Sequence, residues 1–341
     1  MEIHQKLKFW FQKEGRDLPW RHTTDPYYIW LSEVILQQTR VEQGLPYYWK
    51  FIERFPRIQD LAQASEDEVF RLWQGLGYYS RAKSLLKTAQ RIETSLQGIF
   101  PQSYSDLLAL PGIGPYTAAA IASFAFNKPQ PVLDGNVQRV VSRCIQLEEP
   151  VESKKGRSQM HEWLNQSMSH KDPATFNQSM MELGALICLP RNPLCPRCPI
   201  QEHCLAYQAG SPEGYPIKKP KPAKQQMYLA FAHAEHADKL VIQKRKPQGI
   251  WANLWELPSV VTQKTPVISD VELLFPGVSA KPYLQVELPY HLLSHREIRA
   301  SVFVFPYEGP LNSEQKWISK FELDAYGFPR ILTRYFESMP D

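Results

Sequence analysis

The chain lacks any long run of apolar residues. None of its segments approaches the roughly 18 consecutive apolar residues that a membrane-spanning helix requires. The first residues, MEIHQKLKFWFQKEG, have the spacing of an amphipathic helix and not the continuous apolar run of a signal peptide. We therefore expect no contact with a membrane and a cytoplasmic location.

A large net charge is also absent, because the formal value at pH 7 is only +4. The basic excess lies in the first 225 residues, while the remainder holds slightly more acidic than basic side chains. This mild bias is compatible with a polyanionic ligand, but an ordinary slightly alkaline protein would show it equally well. Charge alone therefore does not identify a partner.

Cysteine is scarce, and its distribution is informative. Four of the five cysteines lie within the segment CLPRNPLCPRCPIQEHC, whereas Cys144 stands apart in a helical pattern. A disulfide-stabilised secreted protein would spread its cysteines along the chain, so this grouping predicts a metal site. Four thiolates can hold either zinc or an iron–sulfur cluster. The spacing is C-x6-C-x2-C-x5-C, and its residues are Cys188, Cys195, Cys198 and Cys204.

The first two hundred residues show helical patterns without a convincing alternating strand. Asp25 and Pro26 form an N-cap and first-turn pair that opens the helix carrying Glu33. A segment rich in Pro, Gly and Lys follows the cysteines and has the composition of a linker. The further helical patterns cover residues 45–55, 67–76, 81–95, 104–110, 116–126, 136–147, 158–168 and 172–186.

Beyond this linker the pattern changes. MYLAFAHAEHADKLVIQKR predicts two strands joined by a polar turn, EIRASVFVFP a third strand, and FPRILTRYFESM a closing helix. The predicted fold class is therefore α+β. It consists of an all-helical domain over residues 1–207, a linker over 208–226 and a mixed α/β domain over 227–341.

Two carboxylates have contrasting predicted surroundings. Glu33 in WLSEVILQQT shares a helix face with apolar side chains, and burial there raises the pKa of a carboxyl. Asp134 in PVLDGNVQRVV precedes a helix, and capping amides would lower its pKa. Such a pair suits a general acid beside a stabilising anion. The alternatives are an ion pair of Glu33 with an arginine and a purely structural cap at Asp134.

The segment LPGIGPYTAAAI joins two short helical patterns. Gly112 and Gly114 permit a tight turn, and the backbone amides at the start of the next helix suit a phosphate. The motif resembles a helix-hairpin-helix, which implies a sequence-independent contact with the DNA backbone, although such a turn is often only a connector between helices.

Several motifs together resemble the MutY-type adenine DNA glycosylases of the endonuclease III, or helix-hairpin-helix, superfamily. They are LPWR, WLSEVILQQTRV, LWQGLGYYSRAK, LPGIGPYTAAAIASFAF, LDGNVQRVVSR, FNQSMMELGALIC and the cysteine loop, spanning residues 18–204. The resemblance implies a helix-hairpin-helix at about 104–126 and a [4Fe–4S] cluster on the loop 188–204. It also implies duplex DNA containing adenine opposite 8-oxoguanine or guanine as the partner, a monomer, and a nucleoid-associated location.

The resemblance also implies roles for individual residues. Glu33 protonates N7 of adenine and Asp134 stabilises the sugar cation or its covalent adduct, with Tyr116 and Asn136 supporting them. Residues matching those that enter the DNA helix are Gln38, Leu76 and Tyr78. Residues matching the adenine pocket are Trp20, Arg21 and Glu182. Each of these secondary residues could instead belong to the core or to an ordinary helix end.

The C-terminal part resembles the Nudix-like domain of the same family through GIWANLWELP. No spaced glutamate cluster follows Glu256, so pyrophosphatase activity is not expected. The family reads 8-oxoguanine with a Phe-Ser-His loop, which Leu293, Ser294 and His295 match with leucine in the first place. A surface loop that merely meets water is the alternative.

The expected activity is hydrolysis of the N-glycosidic bond of mispaired adenine after base flipping, without strand cleavage. Endonuclease III carries a lysine where this chain has Tyr116, so no amine is available for a Schiff base. Two rival functions remain open at this level. One is a pyrimidine-specific glycosylase of the superfamily, and the other is a catalytically silent iron–sulfur protein that binds DNA.

Overall fold

The computed structural model describes residues 2–220, 223–272, 274–275 and 282–339. Within these residues the chain forms two compact units. The helical unit comprises Met1–Gln63 and Lys87–Pro220, and the sheet unit comprises Ala64–Leu86 and Lys221–Asp341. The predicted α+β fold class, helices followed by a mixed sheet, is confirmed. The predicted domain division differs in two places: residues 64–86 group with the sheet unit, and residues 208–220 of the predicted linker group with the helical unit.

The described residues before the sheet contain helices and turns but no strand. The α-helices of this part are α1 (Ile3–Glu14), α2 (Pro26–Ile35), α3 (Val41–Arg54), α4 (Ile58–Ala62), α5 (Glu66–Trp73), α6 (Ser80–Leu96), α7 (Tyr104–Leu108), α8 (Pro115–Phe124), α9 (Gly135–Cys144), α10 (Lys154–Ser167), α11 (Pro173–Leu186) and α12 (Leu205–Gln208). None of the described helices has the length and apolarity needed to cross a membrane.

Side-chain caps explain where many of these helices begin. Asp25 accepts a hydrogen bond from the Tyr27 amide at 2.8 Å, as its position before Pro26 predicts. Side-chain N-caps also begin α5, α7, α9, α10 and α11, and the capping residues are Ser65, Ser103, Asp134, Ser153 and Asp172.

Several boundaries differ from the sequence-based prediction; for example, the helix predicted over 158–168 begins at Lys154 and the one predicted over 136–147 ends at Cys144. The helix predicted over 45–55 begins at Val41, four residues earlier, and accommodates Pro46 within it. The helix predicted over 67–76 ends at Trp73, because the chain turns through positive φ at Gly75 (97°) and Gly77 (72°). The short helix α4 was not predicted.

The segment 64–86 belongs to the sheet unit through specific bonds. The Glu66 carboxylate accepts from the Asn253 amide at 2.8 Å, and Asp67 accepts from the Lys244 ammonium at 2.9 Å. In the predicted linker, the carbonyls of Tyr215 and Ile217 accept from residues of the helical unit. Part of that linker is therefore fixed to the helical unit.

Helices α9 and α11 pack together in the main core of the helical unit. Their closest approach is at Gly184, where an added Cβ would lie 2.6 Å from Cβ of Asn136 and 2.9 Å from its carbonyl oxygen. Only glycine leaves room for this contact, because real Cβ atoms do not approach that closely. Gly184 therefore sets the distance between the two helices beside Asn136.

The sheet unit is built on one mixed sheet with the order β3-β2-β1-β7-β5. Strands β1 and β7 run parallel, and the other pairs are antiparallel. One face packs against α14 (Arg330–Glu337) and the other against α13 (Ile268–Glu272). The strands are β1 (Gln225–His236), β2 (Lys239–Lys244), β3 (Trp255–Glu256), β4 (Ser259–Thr262), β5 (Leu284–Glu287), β6 (His291–Leu292), β7 (Arg296–Pro306) and β8 (Gln315–Ser319).

Replacing Gly184 with alanine should destabilise the protein by roughly 1–3 kcal/mol, because the added methyl group forces α9 and α11 apart. The matched control is Gly214→Ala, since a Cβ at Gly214 would meet nothing within 4 Å. Denaturant unfolding of the full chain measures both. Equal stability of the two variants would contradict the close approach at Gly184.

Candidate active site

A cavity of about 920 Å³ opens in the helical unit where α8 and α9 begin. It brings together the predicted residues Gln38, Tyr116, Asp134 and Asn136. Its other lining residues are Arg16, Leu36, Gln37, Thr39, Arg40, Val41, Glu42, Leu133, Gly135, Arg139, Gly184, Ala185, Leu189 and Pro190. The cavity is large enough for a nucleobase with its sugar.

Glu33 lies behind this cavity on α2 and is only 5% exposed. The hydroxyl of Tyr116, which does line the cavity, donates a hydrogen bond to Oε2 of Glu33. In the described part of the chain Glu33 forms no ion pair, so the structural alternative of a bond with an arginine is not what the fold adopts. A buried carboxyl that is held by a neutral hydroxyl keeps its proton readily.

The pKa of Glu33 is raised to about 7. Burial is the main cause, and the negative charge of Asp134 adds to it, while the hydrogen bond from Tyr116 and the charge of Arg21 act in the opposite direction. The upward shift predicted from sequence is confirmed. Near neutral pH a substantial fraction of Glu33 is therefore protonated and can act as an acid.

Asp134 caps α9 and is held through both carboxylate oxygens. Oδ1 accepts from the Val137 amide at 2.7 Å, and Oδ2 accepts from Nδ2 of Asn136 at 3.0 Å. The expectation that capping would lower its pKa is wrong in net effect. Burial raises the pKa of Asp134, and this outweighs the lowering by the bonds from Val137 and Asn136 and by the charge of Arg139.

The placement of the proton still follows from the geometry. Two neighbouring buried carboxyls repel each other when both are ionised, so one of them holds a proton. Asp134 receives amide hydrogen bonds on both oxygens, which stabilise its anion, whereas Glu33 receives one bond from a hydroxyl. These hydrogen bonds favour the negative charge on Asp134 and the proton on Glu33.

Arg139, which was not predicted from sequence, connects Asn136 to the cysteine loop. Its Nη2 donates to Oδ1 of Asn136 at 2.9 Å and to the Gly184 carbonyl at 2.7 Å. Its Nε donates to the carbonyl of Cys188 at 2.7 Å. These bonds fix the Asn136 amide in the orientation that donates to Asp134.

Asn177 holds the backbone that leads into Asp134, and it too was missed. Its side chain is fully buried on α11. Oδ1 accepts from the Val132 amide at 3.1 Å, while Nδ2 donates to the Gln130 carbonyl and to Ser123, each at 2.9 Å. A buried, fully bonded amide of this kind restrains a loop without regular secondary structure.

Glu182 is not available as a free polar group of an adenine pocket. It is 1% exposed and accepts from Nε of Arg16 and from Nη2 of Arg21, both at 2.8 Å. Burial alone would raise its pKa, but these arginines lower the pKa to about 2. Of this group only Arg16, which sequence analysis missed, lines the cavity. Trp20 is buried against Tyr48, with ring centroids 5.1 Å apart.

The three residues expected to enter a DNA helix differ in accessibility. Gln38 lines the cavity of the helical unit in a left-handed backbone conformation with φ of 56°. In the sheet unit, Tyr78 is 49% exposed with φ of 50°, but Leu76 is only 6% exposed. Tyr78 is thus accessible to a ligand in this structure, whereas the side chain of Leu76 is packed inside.

The predicted hairpin between α7 and α8 is present. Gly112 adopts φ of 75°, which a side chain would disfavour, and Gly114 caps α8 with Pro115 in the first turn. The amides at the start of α8 are therefore free of a side-chain cap. This geometry suits a phosphate oxygen.

The cysteine loop is organised by a buried arginine. Arg143 is 1% exposed and donates to Sγ of Cys188 at 3.2 Å and to the Leu189 carbonyl at 2.8 Å. Backbone amides donate to the sulfur atoms of Cys198 and Cys204. Positive charge and amide donors around sulfur stabilise thiolate ligands, so the donor set fits an all-thiolate group.

The four sulfur atoms do not form a site for a single ion. Across the described residues, no group of three or more His, Cys, Asp or Glu side chains is arranged to hold a metal ion. The cysteines nevertheless interact electrostatically with one another. Burial raises the pKa of Cys195 and Cys198, and the charges of Cys188 and Cys204 raise it further.

In the sheet unit, Ser294 and His295 occupy the tip of the tight hairpin between β6 and β7. The Leu293 amide donates to the Arg296 carbonyl at 2.9 Å, so the two residues between them form the turn. Both are exposed, and their side chains lie within hydrogen-bond distance at 3.2 Å. Leu293 packs against the core that α14 covers, so its side chain is directed inward.

Glu256 of the GIWANLWELP motif is buried and satisfied. It accepts from Arg245, from Gln243 at 3.1 Å and from Ser259 at 3.0 Å. Its carboxylate is therefore engaged by protein groups and serves the packing of this unit.

Comparison with known proteins agrees with this geometry. The family described as HhH-GPD superfamily base excision DNA repair protein matches residues 31–166, and the NUDIX domain family matches residues 229–338. Among solved structures, a thermostable thymine-DNA glycosylase aligns with a TM-score of 0.56 and 28% identity, covering 60% of this chain and 95% of its own. A trapped endonuclease III–DNA covalent intermediate aligns with a TM-score of 0.52 at 20% identity, which bears on the fold alone.

Curated relatives extend the match across both units. The adenine DNA glycosylase of Buchnera aphidicola subsp. Schizaphis graminum is 36% identical over 294 residues, covering 85% of this chain and 84% of the relative. The adenine DNA glycosylase of Rattus norvegicus is 31% identical over 365 residues, covering 90% of this chain and 71% of the relative. The chain therefore belongs to the MutY-type adenine DNA glycosylase family of helix-hairpin-helix base-excision-repair enzymes.

Proposed function

We propose that this enzyme hydrolyses the N-glycosidic bond of adenine placed opposite 8-oxoguanine or guanine in duplex DNA, leaving an abasic site and an intact strand. The observation that carries the proposal is the arrangement of Glu33, Tyr116 and Asp134 at one cavity. Membership in the family supports adenine as the base that is released. The identity of the base opposite adenine and the absence of strand cleavage are further parts of this proposal.

The first step is extrusion of the adenosine from the duplex into the cavity. Glu33, protonated and in contact with Tyr116, then donates its proton to N7 of the base. A protonated purine is a better leaving group, because its departure no longer generates an anion. The low polarity around Glu33 keeps the carboxyl protonated near neutral pH, so the proton is present when the base enters the cavity.

Loss of the base leaves a sugar with the character of an oxocarbenium ion, and a water molecule then adds to the sugar carbon and loses a proton, which gives the abasic site. Asp134 supplies a fixed negative charge for this cation, and the Val137 amide and Asn136 hold its carboxylate in place. The same division of labour between an acid and an anion operates in glycoside hydrolysis. Asn136, Arg139 and Asn177 act by positioning Asp134.

The silent DNA-binding protein considered above is disfavoured, because such a protein would not need an acid and an anion at one cavity. A pyrimidine-specific activity is disfavoured by the sheet unit, which the relatives named adenine DNA glycosylase share along most of this chain. We assign to Ser294 and His295 the recognition of the base opposite adenine, because both side chains are exposed at a hairpin tip and can form hydrogen bonds.

We further propose that Cys188, Cys195, Cys198 and Cys204 hold a [4Fe–4S] cluster. When bound, it would cross-link the loop 188–204 through four thiolates, and no step of adenine release passes through it. The amide and arginine donors to these sulfur atoms support this assignment.

Adenine release should occur opposite 8-oxoguanine and guanine but not opposite thymine or cytosine, with strand breaks appearing only after alkali.

Glu33→Gln should slow release by about 100-fold or more while binding of the duplex is retained, because glutamine cannot donate an acidic proton. Glu53→Gln on the exposed side of α3 is the matched control and should react as the natural chain does. Undiminished release by Glu33→Gln would refute the acid assignment.

The rate constant for release should fall about tenfold per pH unit above a pH of about 7, where Glu33 loses its proton. Tyr116→Phe should move this decline to higher pH, because it removes the hydrogen bond that lowers the pKa of Glu33. Tyr104→Phe, on α7, is the control and should leave the decline in place. Single-turnover rates from pH 5 to 9 measure the shift; a decline moved to lower pH in Tyr116→Phe contradicts the assignment.

The purified protein should be yellow-brown with an absorbance band at roughly 400 nm, as expected of a cysteine-ligated iron–sulfur cluster. Cys198→Ser should lose this band. Cys144→Ser should retain it, because Cys144 lies on α9 and outside the loop 188–204. Metal analysis accompanies the spectrum. Colourless protein that contains zinc would overturn the cluster.

A further inference from the structure

The strand register places two basic side chains on the sheet face that α14 covers. Ile298 belongs to the core of this face together with Leu332 of α14. His291 of β6 pairs directly with Ile298, and directly paired residues lie on the same face. Arg296 is two residues before Ile298 on β7, so it lies on this face as well, with Nη1 3.4 Å from Sδ of Met227.

Helix α14 brings two cations to the same place. Arg330 and Arg334 are exposed and one turn apart, so they share a side of the helix. Their positive charges act on His291: burial lowers the pKa of His291, and Arg334 and Arg330 lower it further. The indole of Trp251 lies 5.6 Å from the ring of His291 and adds an aromatic surface.

In the described part of the sheet unit, no carboxylate is paired with these arginines. Within residues 223–272 and 282–339, Arg330 and Arg334 are exposed and form no salt bridge, whereas Arg245 pairs with Glu256 and Arg299 with Glu297. The half-buried Arg296 likewise has no acidic partner in this part of the chain. Two arginines therefore face solvent with their charges unpaired, and a third is half-buried on the sheet face described above.

Helix stability does not account for the arrangement. Arg334 in the last turn is favourable for the helix dipole, but Arg330 is the first residue of α14, where a positive charge is unfavourable. Two like charges four residues apart also repel each other. A charge pattern that weakens its own helix is better explained by an anionic ligand.

We propose that these residues, here called the arginine face (His291, Arg296, Arg330 and Arg334), bind phosphates of the DNA backbone. The inference rests on the proposed function, because it takes duplex DNA as the anion. Arg296 is the residue directly after the tip formed by Ser294 and His295, so the arginine face and the hairpin tip are continuous. The strand bound by the face is therefore the one that carries the base opposite adenine.

The arginine face and the hairpin tip suit different parts of the DNA. Guanidinium groups bind phosphate oxygens through paired hydrogen bonds, and such contacts fix the position of a protein on a duplex. Hydrogen bonds to base edges then supply specificity. The arginine face would hold the backbone while Ser294 and His295 meet the base.

The test uses the full chain and a duplex with 2′-fluoro-2′-deoxyadenosine, which resists hydrolysis, opposite 8-oxoguanine. Affinity is measured between 50 and 300 mM salt for Arg330→Gln, Arg334→Gln and the double variant. Each lost phosphate contact lowers the slope of log affinity against log salt by about 1, so the double variant should lose about 2. The loss should be equal for duplexes with guanine or thymine opposite adenine, because phosphates carry no sequence.

The matched control is Lys239→Gln, which removes one exposed positive charge at the start of β2. It lies at the other end of β1 from Gln225, the partner of Arg296, roughly 35–40 Å along the sheet. Its slope should equal that of the natural chain. Thermal melts monitored by circular dichroism should show the four variants folded like the natural chain, since the substitutions are on the surface.

An unchanged slope in the double variant, or an equal loss in Lys239→Gln, would overturn the inference. Adenine release by the natural chain is measured in parallel on an ordinary adenine substrate. If release is seen but the slopes do not change, the arginine face fails and the proposed function stands. If the slopes change but no adenine is released, the proposed function fails and the DNA-binding face stands.

Discussion

The proposed chemistry depends on one carboxyl group, Glu33, which is buried on α2 and accepts a hydrogen bond from the Tyr116 hydroxyl at the cavity. Burial and the nearby charge of Asp134 both disfavour its ionisation. The cost of keeping a carboxyl inside is therefore reduced by keeping it neutral. A group that is neutral at the pH of its surroundings can still give up a proton when a base with sufficient affinity arrives.

In the proposed mechanism, buried polar groups of the helical unit position Asp134 as the anion beside this acid. Both oxygens of Asp134 are bonded, and the donors are held in turn by Arg139 and by the close packing at Gly184. Asn177 restrains the backbone just before it. Positioning by buried, fully satisfied polar groups explains how an irregular segment can present a carboxylate with precision.

Sequence patterns predicted what depends on local spacing. The caps at Asp25 and Asp134, the hairpin glycine Gly112, and the apolar surroundings of Glu33 are all features of neighbouring residues. The net pKa shift of Asp134 was predicted with the wrong sign, because its local caps are visible in the sequence but the depth of its burial is not. Burial arises from segments far apart in the chain.

The same reason explains the residues that were missed. Arg16 is matched to Glu182 across 166 positions, and Arg139 reaches Cys188 across 49. No local sequence pattern predicts partners that lie so far apart in the chain. The assignment of residues 64–86 to the sheet unit was hidden for the same reason, since Glu66 and Asp67 bond to side chains that follow nearly two hundred residues later.

The proposed mechanism requires that Glu33 is protonated before the substrate binds, and this protonation can be measured directly. With ¹³C-labelled glutamate in the full chain, the carboxyl signal of Glu33 is assigned by its absence in Glu33→Gln and followed from pH 4 to 9. The account predicts a midpoint at about pH 7. A midpoint at about 4.5, the value of an ordinary glutamate, would show that Glu33 is ionised before the substrate arrives and would contradict it.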